Sequence, residues 1–245
     1  MRPSLLLAAL LFFPAAAAAQ IILPEEEVLL GAAVRTRPAY DGSGDQRADL
    51  IPIIRYYGKP LFARTTQGVL EGGARWPLTK GLDAGVQLAY EEGRKKSESD
   101  LLARLNVDDL DPGASLGAHL EWDTKIGPAP ASLLARWRQH LDSDRGAQAD
   151  LRFNIGAYGS RGIILALYAQ ATWASAKAIR SFYLVDADSG LLHTTLGALG
   201  SYDLSRHWLL VGGLSWRWLH GDAASSPLVE EKTSFYANAG VAYRF

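Results

Sequence analysis

Side chains able to do acid–base, nucleophilic or metal chemistry are few in this chain and poorly spaced for it. The histidines are His119, His140, His193, His207 and His220, and there is no cysteine. Without cysteine there is no thiol nucleophile, thiolate metal site or disulfide framework. No two histidines share a strand face at ligating spacing, so no metal is expected. His207 and His220 stand at opposite ends of one expected strand, too far apart to cooperate. A hydrolase needs a nucleophile, a base and an orienting carboxylate close together. His220, Asp222, Ser225 and Ser226 form the one such group, but Ser, Asp and His are ordinary residues in a loop. The chain is therefore read as non-enzymatic, with no catalytic residue, cofactor or metal.

The more informative chemistry lies in charged residues at alternate positions. Arg35, Arg37, Arg55, Arg75, Asp83, Glu91, His119, Glu121, Asp123, Arg136, Arg138, Asp150, Arg152, Asp203, Arg217 and Arg244 all fall on the face opposite the apolar one. Buried charges are costly unless paired. One reading is an interior filled with ion pairs and water that holds the molecule rigid. The other is a narrow channel whose arginine rows set an anion preference.

Strands must carry these charges, because the pattern has a period of two. In the last stretch, Thr233 to Phe245, the apolar residues Phe235, Ala237, Ala239, Val241, Tyr243 and Phe245 alternate with Ser234, Tyr236, Asn238, Gly240 and Arg244. Similar runs begin at Ala114, Ala131, Ala149 and Ile163. Noisier ones cover Val28 to Arg37, Leu50 to Tyr57, Leu61 to Trp76, Leu82 to Glu91, Leu191 to Leu204 and His207 to Leu219. Trp208, Trp216 and Trp218 lie near the ends of their run, as in interface belts.

Ahead of these runs lie Met1-Arg2, an apolar core Leu5 to Phe13 and the small residues Ala15 to Ala19, the pattern of a secretory signal peptide. Residues 1–19 are expected to be removed, leaving 20–245 as one barrel domain. Removal takes the formal net charge from −1 to −2 through loss of Arg2. No basic face suggests nucleic acid. A chain exported in this way, with half-apolar strands, predicts a transmembrane antiparallel up-and-down β-barrel, since only helices and closed barrels satisfy the backbone in lipid. Short links belong on the periplasmic side and long loops outside. Eleven runs are visible and an even number is required. Ala178 to Val185 is the expected twelfth strand; ten is the alternative, with Leu50 to Trp76 making fewer crossings.

Short signatures along the chain resemble the MltA-interacting protein / OmpV family of outer-membrane proteins. They are Tyr40-Asp41-Gly42-Ser43, Pro52 within Ile51-Pro52-Ile53, Gly93-Arg94, and Trp173 followed by Phe182-Tyr183. Gly221-Asp222 through Ser226-Pro227-Leu228-Val229 and the terminal Tyr243-Arg244-Phe245 complete the set. Asp stands where the family has Glu in the first motif, and Gly44 displaces the next acidic residue to Asp45. Glycine, proline and aspartate are also what turns demand. The resemblance implies a non-enzymatic bacterial outer-membrane protein in contact with outer-membrane lipid, its C-terminal strand read by the barrel assembly machinery. It also implies a scaffold between a murein transglycosylase and a murein synthase. A small channel and a surface adhesin are the alternatives.

Overall fold

The computed structural model describes residues 28–66 and 69–245. The expected signal peptide lies outside the described residues. Twelve strands follow one another: β1 Leu29–Pro38, β2 Gln46–Tyr57, β3 Leu61–Thr66, β4 Val69–Thr79, β5 Leu82–Glu91, β6 Gly113–Ile126, β7 Ala129–His140, β8 Ala147–Ser160, β9 Ile163–Ala174, β10 Gly190–Asp203, β11 Trp208–Leu219 and β12 Thr233–Arg244. Each pairs antiparallel with the next, and β12 pairs with β1, so the sheet closes. Closure satisfies both edges of the sheet, which an open sheet in lipid cannot do. Two short helices, α1 Asp100–Arg104 and α2 Ala176–Tyr183, lie in loops. Among the described residues no helix is long and apolar enough to cross a membrane.

Twelve is the strand number, but the twelfth strand is not the expected one. Ala178 to Val185 is mostly helix, within α2. Ala, Lys and Arg favour helix there. Ser175 caps its start by accepting a hydrogen bond from Ala178 N, and Leu184 ends it in the left-handed region at φ 50°. The extra strand comes instead from Leu61 to Trp76, which divides into β3 and β4. The hairpin reverses parity. In β3 the even residues Phe62 and Arg64 are buried, whereas in β4 it is the odd residue Glu71 that is buried. A single strand through this stretch would place Arg64 and Arg75 on opposite faces, and so the alternation looks noisy.

The outward face is apolar and ends in aromatics. Tyr56, Trp76, Trp122, Tyr158, Tyr202 and Trp208 are exposed near the short-turn end, and Tyr90, Trp137, Trp173, Trp216 and Phe235 near the long-loop end. Trp208 and Trp216 share one strand, and their separation is about 26 Å along it at ~3.3 Å per residue. Two aromatic girdles around an apolar band are the pattern of a membrane barrel.

One seam is weak. Most neighbouring strands share eight or more register pairs, but β2 and β3 share only Arg55↔Arg64, Tyr56↔Ala63 and Tyr57↔Phe62. Above Arg55, β2 pairs among the described residues with β1 alone. Pro52 lies in that half-paired stretch, where a residue without an N–H is tolerated.

Candidate functional site in the lumen

Register brings the inward charges into rows. His119, Arg136, Asp150 and Thr172 are successive partners across β6, β7, β8 and β9. Around this row runs a buried chain of ion pairs. Arg64 Nε donates to Glu71 at 2.5 Å and Arg64 Nη1 to Glu121 at 3.0 Å. Arg136 Nη1 donates to the other oxygen of Glu71 at 2.8 Å, while its Nη2 lies 2.8 Å from Asp150. Arg138 joins Asp150 at 3.2 Å to Glu91 at 2.5 Å. Thr172 Oγ1 donates to Asp150 at 2.7 Å. Glu71 has no exposed side-chain surface, and Asp150 only 2%. Each carboxylate is shared by two guanidinium groups, which is how ionised groups persist out of bulk water.

Smaller clusters surround this network. Asp49 receives Arg35 at 2.9 Å and Arg37 at 2.7 Å, and Glu92 takes Arg35 at 2.6 Å. Arg217 Nη1 donates to Asp41 at 2.5 Å, and the Tyr236 hydroxyl donates to the same carboxylate. Tyr57 is flanked by Arg55 and Arg75, whose guanidinium carbons lie 4.8 and 4.6 Å from its ring centre. At the short-turn end, Arg244 donates to Asp203 at 2.9 Å. The backbone N–H of Asp123 donates to Gly81 O at 2.7 Å. Arg152 donates to Asn154 and covers the Tyr168 ring.

Two cavities lie in the lumen among the described residues, one of about 430 Å³ in its lower, short-turn half and one of about 190 Å³ beneath the long loops. Arg35, Thr66, Arg217 and Tyr236 line both, and mark the constriction between them.

Above the upper cavity the long loops pack into a lid, and most of the sequence signatures meet there. Tyr40 OH donates to Leu228 O at 2.7 Å. Gly42 has φ 104°, and a Cβ on it would come within 2.8 Å of Val229. Only glycine suits that conformation and that approach. Ser43 is buried and accepts from Asp45 N at 3.1 Å. Gly93 abuts the carbonyl of Leu110, and Arg94 donates to Phe182 O while covering the Phe182 ring. Ser226 Oγ donates to Tyr183 O at 2.5 Å and accepts from Leu228 N. Ala39, Tyr40, Leu102, Val107 and Leu228 form one apolar cluster, and Ile179, Tyr183, Leu192 and Leu219 belong to another, with Phe182 packed against both. Pro227 is exposed beside them, and Gly221 has φ 56°. Trp173 lies outside, on the upper girdle. Tyr243 and Phe245 form an aromatic contact at the opposite end, with centroids 4.9 Å apart.

Burial raises the phenols of Tyr40 and Tyr183 above their ordinary value, Tyr183 well above it. A raised folded-state value means that the docked lid holds the proton more tightly. Its stabilisation is then complete below the usual phenol value of about 10 and is lost as pH rises through the folded-state value. Trypsin cleavage at Arg180 is expected to stay slow up to that range and to accelerate above it. A rise confined to neutral pH would contradict this.

Three members of the hydrolase-like group are engaged with other partners. His220 Nε2 pairs with Thr194 Oγ1 at 2.8 Å, Asp222 accepts from Asp188 N at 3.0 Å, and Ser226 is buried against Tyr183 rather than exposed. Among the described residues no cluster of His, Asp and Glu could hold a metal ion. Sequence reading missed Arg64, Glu71, Asp49 and Glu92. The signal for the first two was the parity change within Leu61 to Trp76.

Among solved structures, the chain is similar to an outer membrane channel from Pseudomonas putida F1, at 13% identity, TM-score 0.48 and coverage of 91% of this chain and 97% of that one. It is similar to the NanC porin at 9%, 0.44, 89% and 99%, and to OmpT of Vibrio cholerae at 7%, 0.42, 89% and 96%. None of these likenesses bears on what the lumen does. No curated protein matches the chain. A family pattern does match, over residues 30–245, which takes in the barrel and every signature of the lid: the chain belongs to the MltA-interacting protein MipA family.

Proposed function

We propose that this protein is a non-enzymatic scaffold of the bacterial outer membrane whose short-turn end faces the periplasm and receives cell-wall enzymes, a murein transglycosylase first among them. The family's name speaks of interaction with MltA. The observation that carries the reading is the chemistry of the short turns. Lys59, Lys80, Lys125, Arg161 and Arg206 are all exposed at or beside them. The connecting residues 58–60, 80–81, 127–128, 161–162 and 204–207 contain no acidic side chain. Asp203 beside the last turn is neutralised by Arg244 at 2.9 Å, so the turns form a net positive ring, which favours and steers an acidic partner surface. Tight turns on a closed barrel also hold that ring rigid, which lowers the entropic cost of docking.

The combined variant Lys80→Glu, Arg161→Glu and Arg206→Glu tests this. Capture of the murein transglycosylase from detergent-solubilised membranes is expected to fall at least tenfold, with the heat-modifiable gel shift of the folded barrel unchanged. Undiminished capture by the folded variant would sink the reading.

A further inference from the structure

Arg152 on β8 is 6% exposed. Its Nε donates to Asn154 at 3.0 Å, and its guanidinium lies 4.1 Å from the centre of the Tyr168 ring. Arg35, Arg64, Arg136 and Arg138 are as deeply buried, and each has a carboxylate partner. Arg152 has none within 4.0 Å among the described residues, and its two terminal nitrogens have no acceptor there. One neutral hydrogen bond and a ring face replace only part of a cation's lost hydration.

Arg152 lines the lower cavity, whose volume of about 430 Å³ is within the range of small-molecule sites, roughly 300–1,000 Å³. Arg35, Arg55, Arg64, Glu121 and Arg217 also line it, so the wall is net basic, and beside them lies an aliphatic part that is large for a lumen, which in a water-filled barrel is polar. Leu29, Ile51, Ile53, Leu134, Ile164 and Leu199 all line it. Leu199 points inward by register and is still 39% accessible, because it faces that space. The wall also includes both flanks of the weak seam, Ile53 and Ile54 on β2 and Thr65 and Thr66 on β3.

We infer that the lower cavity binds an amphipathic anion, a single hydrocarbon chain ending in a carboxylate or similar monoanionic head, with Arg152 holding the head and the aliphatic wall holding the chain. A planar carboxylate matches the fork of a guanidinium. The site is separate from the basic turns and does not depend on the scaffold reading.

The test is calorimetry on the full barrel in zwitterionic nanodiscs, with empty nanodiscs as the blank and octanoate, octan-1-ol and acetate as probes. Saturable binding of one octanoate per barrel is expected, with the other two at least tenfold weaker. Arg152→Gln should weaken octanoate at least tenfold. Leu199→Trp, which fills the apolar part and leaves the guanidinium, should do the same, and it carries the test if Arg152→Gln does not fold. Equal binding of octanol or of acetate, or octanoate affinity unchanged in either folded variant, would overturn the inference. Palmitate supplied in the nanodisc bilayer separates the sources. If it displaces octanoate, the seam admits lipid-derived anions; if it fails to, the ligand is a soluble anion and the seam is no entrance.

Discussion

Glu71→Gln is expected to destabilise the folded barrel by about 3–5 kcal/mol, the scale for removing one partner of a buried ion pair. Glu71 accepts from Arg64 at 2.5 Å and from Arg136 at 2.8 Å, with no side-chain surface accessible. Glutamine keeps the volume and one acceptor oxygen but leaves two guanidinium groups facing a neutral amide. Arg64 then keeps only Glu121 and Arg136 only Asp150, and the two buried guanidinium groups lose the shared carboxylate that offset their burial and their mutual repulsion. The exposed pair Lys177–Asp144 is the control, since a surface ion pair contributes ~0–1 kcal/mol. Urea unfolding of the two variants in lipid vesicles, followed by tryptophan fluorescence, makes the comparison. A Glu71→Gln cost within that surface range would mean that water reaches the network and screens it.

Planar-bilayer recordings of folded wild-type protein are expected to show no steady openings, and Arg136→Glu to produce discrete ones that prefer cations. The constriction at Arg35, Thr66, Arg217 and Tyr236 is the shared wall of two cavities, and Arg35 and Arg217 there are each held by a carboxylate. Paired charges leave a passing ion no free counter-charge at the constriction. Arg136→Glu would set a third carboxylate between Glu71 and Asp150, which the two arginines left, Arg64 and Arg138, cannot balance. The row must then part. Steady openings in the wild type would instead make the arginines a filter. Silence from demonstrably folded Arg136→Glu would move the block to the lid, where removal of Ala176–Tyr183 becomes the decisive variant.

The sequence by itself determined the barrel. A period of two with one apolar face can be satisfied in lipid only by strands that close on one another, and the positions of the tryptophans put girdles at both ends of that band. Alternation also identified the inward charges on β6, β7 and β8, because those strands are long and uninterrupted. It could not place Arg64 and Glu71, whose hairpin reverses parity between residues 66 and 69. Nor could it recognise α2, where a capped run of good helix formers sits at the length of a strand. Which charge meets which was decided by the tertiary structure alone: Glu71 and Arg136 are far apart in the chain, and only strand stagger brings them together. The lid is the same case. Tyr40, Arg94, Tyr183 and Ser226 read as separate turn residues in four different loops. Their contacts depend on where the strands deliver the loop ends, and a single sequence does not record that.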